Sequence, residues 1–163
     1  MTVRSGDQRR ELALLATALV LSMSTWFSTA AVLGQLRATW GLSTAQGSWL
    51  TIAVQLGFVV GAVGSAVSNL ADRIAPLRLI AIGAVGAAVA NAAVAGANGF
   101  AAGLVGRFAT GACLAVVYPP ALKAMSTWYR AGRGFALGVM IGALTIGSAA
   151  PHLVNGIGGL PWR

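Results

Sequence analysis

Charged residues stand far apart in this chain, and the stretches between them decide what it can fold into. None lies between Glu11 and Arg37, between Arg37 and Asp72, between Arg78 and Arg107, or between Arg133 and Arg163. A helix needs about 17 to 25 mostly apolar residues to cross the hydrocarbon core of a bilayer, and each of these four stretches is at least that long. The stretch between Arg107 and Lys123 is shorter. At about 1.5 Å rise per residue, a helix there spans only by extending past one bounding charge. The apolar lead-in over 101–106 makes Arg107 the one taken inside. The chain therefore reads as an all-α, polytopic transmembrane helical bundle. It forms one membrane domain over residues 1–163, with spans at about 12–36, 48–70, 79–97, 101–125 and 135–157.

Composition removes the competing classes. Hydrophobic residues make up 57% and charged residues 9%, where roughly 25% charged is usual for a soluble domain. The net charge of +8 comes from 11 Lys and Arg against 3 Asp and Glu. Those basic residues are dispersed, whereas a nucleic-acid partner needs a clustered basic face, so no such partner is expected. They report orientation instead, because Lys and Arg collect on the cytoplasmic side. Arg4, Arg9 and Arg10 precede the first span, Arg73 and Arg78 follow the second, and Lys123, Arg130 and Arg133 sit between the fourth and fifth. The other side holds Arg37 and Arg163. The N-terminus is thus expected in the cytoplasm and, after five crossings, residue 163 outside. The first span has the basic flank of a secretory leader, but its apolar stretch exceeds a leader core and reads as an uncleaved anchor.

Local signals place the helix ends. Ser43 with Gln46 forms a capping-box pattern, Pro76 suits a first helical turn, and Asn98-Gly99 marks a turn. Catalytic equipment is not visible. Cys113 is the single cysteine, and no His, Cys or carboxylate cluster has metal-ligand spacing. Gly132-Arg133-Gly134 is neither a phosphate loop nor a dinucleotide fingerprint. Neither an enzyme, a metal nor a cofactor is expected.

Polar side chains inside a bilayer turn toward partners or a water-filled cavity, and helical spacing tells which ones share a face. Ser22, Thr25 and Thr29 form such a stripe on the first span, with Trp26 beside it. Ser48, Thr51 and Gln55 do so on the second; Arg107, Gly111, Leu114 and Tyr118 on the fourth; Thr145, Ser148, His152 and Asn155 on the fifth. The third has little beyond Asn91 and reads as peripheral. For any single Ser or Thr, a bond to its own backbone or to a neighbouring helix is the commoner role. Four stripes that include Gln55, Arg107 and His152 point to a cavity lined by spans one, two, four and five. The pairs Gly57/Gly61 and Gly138/Gly142 permit close helix contact. Arg107 either snorkels to the outer headgroups or faces the cavity and attracts an anion.

The segment Ser68-Asn69-Leu70-Ala71-Asp72-Arg73-Ile74-Ala75-Pro76-Leu77-Arg78 resembles the G-x-x-x-D-R-x-G-R/K-x-R/K signature between helices two and three of the major facilitator superfamily. Asp72, Arg73 and Arg78 match; Ser68, Ala75 and Pro76 depart from it. Arg107-Phe108-Ala109-Thr110-Gly111 is similar to the R-x-x-x-G segment of the family's helix four. Gly142, Gly147 and Pro151 lack the spacing of the antiporter glycine-proline motif, so antiport is not inferred.

The resemblance runs from Leu12 onward and implies helices one to five of a twelve-helix transporter, an incomplete N-terminal half whose C-terminal half is missing. It implies secondary active transport of a small solute by alternating access, in the cell (inner) membrane. Asp72 would brace a gate, with Arg73 and Arg78 as charge partners. The solute pathway would take Arg107, Tyr118, Gln55, Trp26, Thr25, His152 and Ser148, and Arg107 puts anions among the candidate solutes. The partners are then the lipid bilayer, the solute and the second half. The alternative is a truncated, non-transporting membrane interaction protein with the same fold.

Overall fold

A computed structural model describes residues 5–129 and 132–158. These residues form helices and connections, with no strand among them. The helices are α1 (Ser5–Ala31), α2 (Leu33–Trp40), α3 (Thr44–Val67), α4 (Leu70–Arg73), α5 (Pro76–Ala95), α6 (Phe100–Leu114), α7 (Tyr118–Trp128) and α8 (Arg133–Gly158). Among the described residues, five segments are long and apolar enough to cross a membrane: Gln8–Ala31, Thr44–Val67, Pro76–Ala95, Phe100–Trp128 and Arg133–Ile157. We refer to them as spans one to five.

The ends follow local chemistry. Ser43 caps α3 reciprocally with Gln46, the Gln46 N–H donating to Ser43 Oγ at 3.2 Å and the Ser43 N–H to Gln46 Oε1 at 3.0 Å. That satisfies two donors a helix start would leave unpaired, and it opens the helix at Thr44 rather than at 48. Pro76 takes the first turn of α5, where its missing N–H costs nothing. Gly41 ends α2 at φ 62°, and Gly99 turns the chain into α6 at φ 146°; both are conformations that glycine adopts without a Cβ clash.

Two spans are broken where the sequence reads as continuous helix. The first is interrupted at Val32, whose φ of −106° and ψ of 13° leave the helical region before α2 resumes. The fourth is interrupted over Ala115–Val117. Pro119 and Pro120 lack the N–H groups that would pair with the carbonyls four residues back, and short bonds from Val116 N to Cys113 O and from Val117 N to Leu114 O close the end of α6 instead.

Glycines set which helices touch. A Cβ at Gly57 would lie 2.0 Å from the Phe108 carbonyl oxygen, and one at Gly111 1.9 Å from that of Val54. The backbones of α3 and α6 are therefore in direct contact, with Gly61 against Ala112 continuing the seam. Gly147 packs α8 on Val20 and Met23 of α1, and Gly83 packs α5 on Cys113 and its neighbours. Gly138 and Gly142 meet nothing within 4 Å, so that pair makes no close contact here. The core between the helices includes Leu15, Leu19, Leu114, Val117, Met125 and Met140. Val59, Val63, Val85, Val89, Ile146 and Ile157 point outward, as acyl chains allow.

Candidate functional site

Arg107 is the most consequential side chain in the bundle. It lies on α6 with only 1% of its surface exposed. Nη1 donates to the Thr25 carbonyl oxygen at 2.9 Å and to Asn91 Oδ1 at 2.9 Å, and Nη2 donates to the Trp26 carbonyl. Spans one, three and four are thus tied through one guanidinium, and the side chain does not run to the headgroups. No carboxylate approaches it among the described residues; Asp72 and Lys123 form the ion pair present there. Nε is buried with no hydrogen-bond partner among the described residues. A charge inside a bilayer costs about 2.5 to 3.5 kcal/mol even on insertion scales, and three bonds to a charged donor at about 1.5 to 3 kcal/mol each are enough to offset that.

Beside it opens a cavity of about 560 Å³ lined by Met23, Trp26, Phe27, Ala30, Thr51, Gln55, Phe58, Arg107, Tyr118, Leu144 and His152. Spans one, two, four and five contribute to its wall. Trp26 meets Phe58 edge-on, with ring centroids 5.2 Å apart. A larger groove of about 1060 Å³ lies between spans three and four, lined by Ala90, Ala93, Phe100, Val105 and other small or apolar residues. It holds no charged group, and acyl chains fit such a surface.

The polar stripes divide between this wall and the helix contacts. Trp26, Gln55, Arg107, Tyr118 and His152 line the cavity; Thr25 and Ser148 are not among its lining residues. The Thr25 hydroxyl bonds to the Ser22 carbonyl, and only its own carbonyl serves Arg107. The short Ser148 side chain turns back onto the Thr145 carbonyl, whereas His152, one turn further, has the reach to arrive. Asn155 leaves the stripe to clamp span one, donating to the Ala31 carbonyl at 2.8 Å and accepting from Gln35 at 3.2 Å.

At the other end of the bundle, Asp72 stands on α4, which begins at Asn69 in the left-handed conformation. Its carboxylate pairs at 2.6 Å with Lys123 of α7, which also donates to the Ala71 carbonyl. Hydrogen bonding and attraction from Lys123 hold the Asp72 carboxyl below its ordinary range. The partner is therefore Lys123 and not Arg73 or Arg78, although both lie close in sequence.

A family model described as Major Facilitator Superfamily matches residues 14–162. The chain belongs to the major facilitator superfamily. Neither a curated protein nor a solved structure matches it. Facilitators are membrane transporters and not, as a class, enzymes, so this is a multi-pass membrane protein whose setting is the bilayer and whose business is a small solute. Three residues matter in this facilitator beyond what sequence reasoning selected. Asn91 holds the buried arginine, Phe58 completes the aromatic wall, and Lys123 takes the acidic residue of the loop motif. Asn91 carried a signal, since apart from Arg78 it is the one polar side chain of α5. What it reaches depends on how α5 packs on α6, which spacing along one helix does not encode.

Proposed function

We propose that this chain forms part of the wall of a secondary transporter that works by alternating access. The solute passes along the cavity bounded by Trp26, Gln55, Arg107, Tyr118 and His152, and further helices supply the facing wall. Rocking of two helical units around a site between them is how such proteins expose that site to either side. The observation that carries the reading is a buried arginine, without a carboxylate partner among the described residues, at the wall of a cavity that reaches four spans. Asp72 and Lys123 belong to the gate at the cytoplasmic end, with Arg73 and Arg78 contributing charge around it. Thr25 acts through its carbonyl, which holds Arg107. Ser148 acts on span five as a contact for the facing wall. The chain sits in the cell (inner) membrane with its N-terminus in the cytoplasm.

Water access tests the pathway without knowledge of the solute. In a variant carrying Cys113→Ser, cysteines are placed singly at Gln55, His152 and Val89, and intact cells or vesicles are treated with a membrane-impermeant thiol reagent. Gln55→Cys and His152→Cys react at least tenfold faster than Val89→Cys on the outer face of span three, and an anionic reagent outpaces a cationic one because of Arg107. Equal, lipid-like inertness at all three positions would remove the pathway.

A further inference from the structure

Arg107 has five N–H donors in a planar fork, and their use is uneven. Both Nη1 hydrogens are engaged, one on the Thr25 carbonyl and one on Asn91 Oδ1, and one Nη2 hydrogen is on the Trp26 carbonyl. What remains is the Nε–H, buried and without a partner among the described residues, and one hydrogen of Nη2. An Nε–H and an Nη2–H together make the side-on edge of a guanidinium, which matches the two oxygens of one carboxylate. The other edge is occupied by main-chain oxygens and Asn91, so a second anionic group finds no comparable fork.

The surroundings select what such an anion is attached to. Trp26, Phe27, Phe58 and Tyr118 wall the cavity, and no Asp or Glu among the described residues lines it. Trp26 contributes twice, its carbonyl to Arg107 and its ring to the cavity, so the charged end and the flat apolar slot adjoin. Its volume of about 560 Å³ falls within the roughly 300 to 1,000 Å³ typical of small-molecule sites. A sugar would need a denser set of hydrogen-bonding groups than Thr51, Gln55, Tyr118 and His152 supply. An amine would meet an unneutralised arginine.

Resting on the pathway proposed above, we infer that the solute is an organic monocarboxylate with an aromatic or otherwise flat apolar body. The carboxylate takes the Nε/Nη2 edge of Arg107 when the guanidinium turns that edge toward the cavity, exchanging part of its bonding to Thr25, Trp26 and Asn91 for the charged pair, and the body lies against Trp26 and Phe58. A buried charged pair with two aligned bonds discriminates strongly against a neutral isostere, because the donors are then left with a weaker acceptor.

The test is equilibrium binding by calorimetry on the full-length protein in lipid nanodiscs, with 4-phenylbutyrate, its primary amide, 4-phenylbutylamine and acetate as probes. Phenylbutyrate binds at least tenfold more tightly than the amide, and the amine and acetate give no heat at the same concentrations. Phe58→Ala weakens phenylbutyrate at least fivefold. Arg107→Lys weakens it at least tenfold while helical circular dichroism is kept, since Lys retains charge but not the fork. Amide binding equal to phenylbutyrate, preference for the amine, or no phenylbutyrate binding at all overturns the inference. If Gln55→Cys and His152→Cys are water-accessible while any of those results holds, the pathway stands and only the solute class falls.

Discussion

Asn91 governs how a buried arginine is tolerated. Its Oδ1 accepts from Arg107 and from Ser28 Oγ at 3.1 Å, so one side chain serves donors from spans one and four. Asn91→Leu removes that acceptor and leaves a further unmatched N–H on the guanidinium. Loss of a bond to a buried charged donor costs about 1 to 3 kcal/mol. The expected result is a lower thermal midpoint in detergent for Asn91→Leu and a midpoint at or above the parent for Asn91→Asp, whose carboxylate pairs with the charge. An Asn91→Leu variant as stable as the parent would show that the bond contributes nothing. At the far end of the bundle, Asp72 has a carboxyl pulled down by Lys123. A depressed folded-state value stabilises the folded form above the ordinary Asp value of about 3.9, and that contribution is lost as pH falls through the folded value. Both partners are largely exposed, so the effect is local. Hydrogen exchange over α4 accelerates between pH 6 and pH 3 relative to pH-corrected intrinsic rates, and Asp72→Asn abolishes the difference.

Helix contacts depend on backbone approach at single positions. A Cβ at Gly111 would sit 1.9 Å from the Val54 carbonyl oxygen, an approach no rotamer change relieves. Overpacking a fitted contact costs about 1 to 3 kcal/mol and occasionally more. Gly111→Ala is therefore expected to separate α3 from α6 and lower the thermal midpoint by several degrees, while Gly138→Ala, with open space around it, leaves it unchanged. Equal midpoints for the two variants would contradict the packing. The same comparison marks how far a sequence can be read. Gly57 with Gly61 and Gly138 with Gly142 have identical spacing, yet only the first pair meets another backbone. Spacing states that close approach is possible and leaves the partner unspecified. Helix existence was legible because hydropathy is a local sum, and the Ser43 cap because its two partners are three residues apart. The break at Val32 was not, since it arises without proline on a β-branched residue. Arg107 announced itself as a charge in an apolar run, but its acceptors on α1 are main-chain carbonyls, which carry no sequence signature at all.

For the whole molecule, orientation is the property that gives the cavity a direction. Among the described residues, Arg9, Arg10, Arg73, Arg78, Lys123 and Arg133 lie at or near span ends that alternating crossings would put on one side, and Arg37 near an end on the other. Basic residues close to span ends set orientation. Reporter fusions after Arg78 are expected to report cytoplasm, and fusions after Gly41 or Gly99 the opposite face. The reverse pattern would invert the membrane placement and put the Asp72–Lys123 pair outside. Span four runs from the cavity residue Arg107 to that pair, but it does so as two rods. Pro119 and Pro120 remove two rungs of the helical ladder between them, so a bend at Ala115–Val117 has two fewer hydrogen bonds to break than one in a straight helix. The end of span four that carries Lys123 on α7 is therefore joined only through a weakened ladder to the end on α6 that packs against α3. A disturbance at the one need not be felt at the other.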